Sequence, residues 1–127
     1  MNLGTNTLDA QFAIMVTALA KDGALIKAEL TPADADLLHM GVGVSGEAGE
    51  LLDAIKKATI YRKELDVENV IEELGDLEFY MERIRQIIGV SRKEILKRNV
   101  AKLSKRYSSG KYSNDQAKER ADKVVVS

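Results

Sequence analysis

The sequence predicts an all-α protein, a bundle of four to five helices whose core is completed by a second copy of the chain. Three observations carry this. Apolar residues recur every three or four positions in successive stretches, and no stretch shows the strict alternation of a half-buried strand. Helix caps and glycine stops punctuate those stretches. Only one proline and 5% aromatic residues are present, a composition that leans away from sheet.

Leu8, Phe12, Met15 and Leu19 repeat at helical spacing, so a first helix is expected from about 8 to 21. Asp22-Gly23 is expected to end it, with Gly23 free to take a left-handed conformation. Residues 24–30 carry no clear assignment. Thr31 is a good N-cap, Pro32 suits the first helical position, and Asp34 suits the positive end of a helix. A second helix should therefore run to about Ala58. Its apolar stripe is Met40, Val44, Leu51, Ile55 and Ala58. Gly41, Gly43, Gly46 and Gly49 lie in its middle, where each costs up to about 1 kcal/mol relative to Ala. They signal either a broken helix or a surface kept thin for a close neighbour or a ligand.

Asp66 can cap a third helix over about 67–88, with Val70, Leu74, Leu77, Met81 and Ile88 as its stripe and Gly89 as its stop. A separate face carries Asn69, Glu73, Asp76 and Tyr80. Ser91-Arg92-Lys93-Glu94 reads as a capping box opening a fourth helix. Leu96, Val100, Leu103 and Tyr107 form its stripe, and Asn99 intrudes on it between basic neighbours. Ser108-Ser109-Gly110 breaks the pattern, Ser113 with Gln116 suits a short last helix, and residues after about Asp122 read as frayed. The chain is expected to be a single helical domain over 1–127, with a core at about 8–107 and a C-terminal extension at 108–127.

The absence of cysteine excludes disulfides and thiolate metal sites, and is compatible with a reducing compartment. Neither a secretory leader nor an apolar run long enough to span a bilayer is recognisable, so a cytoplasmic location is expected. The net charge of −1 hides an asymmetry: residues 44–82 carry eleven acids and four bases, whereas residues 83–111 carry ten bases and one acid. That division suits a metal-binding half beside a polyanion-binding half.

The acidic half contains two phrases, Glu47-Ala48-Gly49-Glu50 and Glu73-Leu74-Gly75-Asp76, each with carboxylates three residues apart. Residues three apart on a helix are neighbours on its surface, so two such helices side by side gather four carboxylates. Glu47 falls inside the apolar stripe, where an acid is out of place. Clustered carboxylates repel unless a cation joins them, and oxygen donors suit hard divalent ions such as Mg²⁺ or Mn²⁺. A di-iron bundle would need Glu-x-x-His motifs, which the one histidine, His39, does not supply. His39 reads as a packing or hydrogen-bonding residue before it reads as a ligand. No cysteine nucleophile, P-loop or Ser-His-Asp set can be assembled, which leaves hydrolysis or transfer at phosphorus as the accessible chemistry.

The run Gly46-Glu47-Ala48-Gly49-Glu50-Leu51-Leu52-Asp53-Ala54-Ile55-Lys56-Lys57, followed by Glu72-Glu73-Leu74-Gly75-Asp76-Leu77, resembles the MazG-like nucleoside triphosphate pyrophosphohydrolases of the all-α NTP pyrophosphatase superfamily. The pattern is Glu-x-x-Glu, a spacer, then Glu-x-x-Asp. The stretch 99–107 and the following Lys111-Tyr112-Ser113 also resemble the C-terminal part of relatives, and the likeness covers roughly 37–122. It implies Mg²⁺-dependent cleavage of an NTP or dNTP between the α and β phosphates, giving the nucleoside monophosphate and pyrophosphate, with Mn²⁺ as a possible substitute. It also implies a homodimer or homotetramer. Glu47, Glu50, Glu73 and Asp76 occupy the metal and catalytic positions. Asn99, Lys102, Arg106, Tyr107 and, more loosely, His39 fall on the substrate side. The competing reading is a non-enzymatic helical module that binds nucleic acid or a protein through the basic fourth helix; the enzyme reading expects no nucleic-acid partner and no membrane.

Overall fold

The computed structural model describes residues 7–123 and is all-α. Two compact units divide the chain, residues 1–35 and 36–127. No helix among the described residues is long and apolar enough to cross a membrane.

In the first unit, α1 (Leu8–Leu19) starts where the Thr7 hydroxyl accepts from the Ala10 N–H at 3.2 Å. It stops two residues short of the expected end, with Ala20 extended and its N–H donating to the Val16 carbonyl. Asp22-Gly23 then begins a helix where the sequence suggested an ending. The Asp22 carboxylate caps α2 (Gly23–Glu29) by accepting from the Ala24 N–H at 2.8 Å, and Gly23 is not left-handed. Aspartate followed by Gly serves either purpose locally. The run Ala24 to Glu29 consists of good helix formers, which decides for a start. A hydrogen bond from Lys21 Nζ to Glu29 Oε2, at 2.6 Å, spans this helix from outside its first turn to its last residue.

The expected second helix is α3 (Pro32–Thr59), and it is continuous through all four glycines. Its start is a reciprocal cap. The Thr31 hydroxyl accepts from the Asp34 N–H at 3.1 Å while the Asp34 carboxylate accepts from the Thr31 N–H at 3.0 Å, which holds the Asp34 carboxyl below its ordinary range. After α3 the chain turns through Arg62 in the left-handed region, with Lys56 Nζ 5.5 Å from the centre of the Tyr61 ring. Asp66 caps α4 (Val67–Ile88) through the Asn69 N–H. Gly89, at φ +69°, closes α4 with its N–H donating to Gln86 and the Val90 N–H donating to Arg85, the two bonds of a Schellman stop.

Ser91 caps α5 (Arg92–Arg106) by accepting from the Glu94 N–H. The reciprocal half of the expected capping box is not made. Glu94 accepts from Arg98 one turn on, at 2.8 Å, where a cation outcompetes a backbone amide. The short α6 (Asn114–Glu119) begins at Ser113, and a 3₁₀ turn (Ala121–Lys123) follows and lies against α5. Most of the segment expected to fray after Asp122 lies outside the described residues.

The expected core is the largest departure. Among the described residues only Ala54 is buried, at 5% exposure. Met40, Val44, Leu51, Val70, Leu77 and Met81 are half-buried, but Leu74, Ile88, Leu96 and Val100 on the same stripes are exposed. All four residues of the α1 stripe are exposed as well. Periodicity identifies the side of a helix that wants cover; it does not say that one chain supplies the cover.

Candidate active site

The site is set by how α3 and α4 approach each other. Along α3 the partners Asp36, Gly43 and Glu47 meet Arg83, Tyr80 and Asp76 of α4, so one number rises as the other falls and the helices run antiparallel. Gly43 lies against the Tyr80 ring of α4. A Cβ at this position would collide with Cδ1, Cε1 and Cζ of the Tyr80 ring. Gly41, Gly46, Gly49 and Gly75 would each meet open space instead. Glu47 lies one turn after Gly43 and Asp76 one turn before Tyr80, so a contact at the glycine brings the two acids face to face. The sequence placed Tyr80 on the face of Glu73 and Asp76, but nothing in it paired that ring with Gly43.

Glu47, Glu73 and Asp76 each present one carboxylate oxygen, and these oxygens all lie within 4.8 Å of one another. Glu47 and Glu73 are half-buried and Asp76 is exposed. Partial burial, a hydrogen bond shared with Glu47, and the negative charges of Glu47, Glu50 and Asp76 hold the Glu73 carboxyl above its ordinary 4.5. Neighbouring acids are neutralised differently. Asp53 is drawn to Lys57 at 2.9 Å, which pulls its carboxyl down, and Glu78 and Glu82 both accept from Arg85 at 3.2 and 2.7 Å. What sets the trio apart is that its acids face one another where the others face cations.

Glu50, expected as the fourth carboxylate, is exposed and stands outside this group. It remains close enough for its charge to act on Glu73.

The predicted substrate residues of α5 behave unequally. Asn99 and Lys102 are exposed and Tyr107 is half-buried. Arg106, expected on the substrate side, is engaged within the chain. Its Nε and second terminal nitrogen donate to Asp122 at 2.7 and 3.0 Å, and the Asp122 side chain is only 3% exposed. This two-pronged bond pulls the Asp122 carboxyl down and fastens the 3₁₀ turn to α5. Arg106 and Asp122 are sixteen residues apart, so helical spacing gave no sign of the pair. His39 is exposed on α3.

Residues 37–110 match the model of the MazG nucleotide pyrophosphohydrolase domain, well over half of the chain. The chain belongs to the MazG family. The matched residues lie within the second unit and include all three clustered acids. Comparison with curated proteins and with solved structures gives no match. A MazG domain acts on nucleotides, and this one is all-α as the family requires.

Proposed function

We propose that the chain hydrolyses nucleoside triphosphates between the α and β phosphates, consuming water and releasing a nucleoside monophosphate and pyrophosphate, with Mg²⁺ as cofactor and Mn²⁺ as a substitute. The observation that carries this reading is the trio of facing carboxylates on α3 and α4 of a MazG domain. The donor set fits a hard divalent cation: three carboxylate oxygens lie within 4.8 Å of one another, and the negative charges of Glu47, Glu50 and Asp76 contribute to holding the Glu73 carboxyl above its ordinary value.

Glu47, Glu73 and Asp76 would hold the ion, and a rotamer change would bring Glu50 in as a fourth donor. Bound there, the ion supplies neutralisation of the triphosphate and a lowered pKa for the attacking water. The protein's own contribution is position. Gly43 and Tyr80 fix the spacing of the two acidic helices. Lys102 binds phosphate as a point charge, and Asn99 hydrogen-bonds sugar or phosphate from the neighbouring turn. Tyr107 and His39 complete the substrate side, and Arg106 supports it from behind by fixing the C-terminal segment. The exposed apolar side chains of α3, α4 and α5 support a homodimer or homotetramer, since Leu52, Ile71, Phe79 and Val100 are each more than half exposed.

Pyrophosphate release across a panel of NTPs and dNTPs, with and without Mg²⁺, tests the reaction. Turnover of at least one nucleotide that vanishes with chelator is the expected result. No release from any nucleotide in either metal would overturn it.

A further inference from the structure

We propose that the cavity lined by Tyr107 and Tyr112, at the C-terminal end of α5, is a stacking site for the base of a nucleotide, with Lys111 beside its phosphate. The proposal rests on the nucleotide reading above but not on hydrolysis. A cavity of about 400 Å³ opens here, lined by Leu103, Ser104, Tyr107, Ser108, Lys111 and Tyr112. Its size suits a small ligand, and its lining joins two aromatic faces and an aliphatic wall to hydroxyls and one cation. That is the chemistry of a flat, hydrogen-bonding ring attached to an anion.

The cleft is built before any ligand arrives. The Gly110 N–H donates to the Tyr107 carbonyl at 2.9 Å, and Gly110 takes φ +73°, which folds the chain back so that Tyr112 reaches Tyr107. The rings stand 5.7 Å apart between centres and 41° apart in plane. The Tyr112 hydroxyl donates to Asn114 Oδ1 at 2.7 Å, and Gln116 Nε2 donates to the Ser108 hydroxyl at 3.1 Å. Tyr112 is thus anchored at its tip yet 73% exposed, which contributes little to folding and leaves a fixed aromatic face towards solvent.

The gap between the rings is too narrow for a sandwich, because a third ring needs van der Waals contact of about 3.5 Å on each side. A base therefore lies in the cavity against the face of Tyr112. Leu103 and Tyr107 continue the row that Asn99 begins, each four residues after the last, so the cavity lies further along the face of α5 that carries Asn99.

The test is binding by the full chain in chelator. The probes are deoxyadenosine 5′-monophosphate and, without a base, ribose 5-phosphate, read by calorimetry and by tyrosine fluorescence in this tryptophan-free protein. The monophosphate is expected to bind at least tenfold more tightly than the sugar phosphate. Tyr112→Ala is expected to weaken it about tenfold or more, the usual effect of losing one stacked ring. Tyr112→Phe should restore most of the affinity, with circular dichroism unchanged in both variants. Equal binding of the two probes, no binding of either, an unaltered affinity in Tyr112→Ala, or binding of a single-stranded oligonucleotide alone would each overturn the proposal. If base-dependent binding survives while no nucleotide is hydrolysed, the pyrophosphohydrolase reading fails and the cleft stands.

Discussion

Replacing Gly43 by alanine should do more damage than any other single methyl group added to α3. Two effects oppose each other. Alanine gains up to about 1 kcal/mol of helix propensity over glycine. The new Cβ, however, overlaps the Cδ1–Cε1 edge of the Tyr80 ring, which must retreat by about 1 Å to reach ordinary contact distance. Overpacking of this kind costs about 1–3 kcal/mol, so the net change runs from near neutral to about 2 kcal/mol of destabilisation. Activity is the more sensitive readout. Tyr80 and Asp76 ride on the same helix, and a 1 Å displacement of one carboxylate row against the other can cost about a hundredfold in rate. The assay pairs urea unfolding with pyrophosphate release for Gly43→Ala and for Gly41→Ala, whose Cβ meets nothing. Gly41→Ala should be at least as stable as wild type. A double-mutant cycle with Tyr80→Ala should show that the Gly43 penalty depends on the ring. Wild-type rate and stability in Gly43→Ala would refute the claim that this contact sets the acid spacing.

Other expectations follow from the same geometry. Because the Glu73 carboxyl is held above its ordinary value, its share of stability is present below pH 4.5 and lost as pH rises through the raised value. Glu73→Gln should therefore raise the metal-free melting temperature at pH 7 and abolish the further rise that Mg²⁺ gives wild type; an undiminished Mg²⁺ response would count against the cluster as a metal site. The Asp122 carboxyl is held down, so its contribution is present above 3.8 and lost as pH falls through the lowered value. Hydrogen exchange in α6 should accelerate in that acid window in wild type but show no such step in Asp122→Asn. Lys102→Ala should lower kcat/KM by about one to two orders of magnitude while metal affinity holds. Lys93→Ala, a distant basic control, should change little, and equal small effects from both would move the substrate site off α5. Sedimentation at micromolar concentration should show a dimer or larger, and a fully active compact monomer would exclude the shared core.

The helices themselves were legible in the sequence because their signals are local. Thr31, Asp66, Ser91 and Ser113 cap within three residues of themselves, and Gly89 stops α4 through bonds that span no more than five residues. The one helix missed, α2, begins at Asp22-Gly23, a pair whose local chemistry serves a start as well as a stop. The two acidic phrases were legible for the same reason, since a spacing of three on a helix is a statement about one element.

Tertiary structure decided what spacing cannot reach. It set the Tyr80 ring against Gly43 and gathered Glu47, Glu73 and Asp76 into the facing trio, with Glu50 outside it. It spent Arg106 on Asp122 and turned Tyr112 back against Tyr107. Each of these is a contact between residues far apart along the chain or across a turn. Such a contact depends on which helix faces meet and on how far the chain folds back, and helical periodicity contains neither. The same limit explains the partly covered stripes of α3 and α4 and the exposed stripe of α5: the sequence marks the faces that seek apolar cover, and only the arrangement of elements in space reveals how little of that cover is complete within the described residues of one chain.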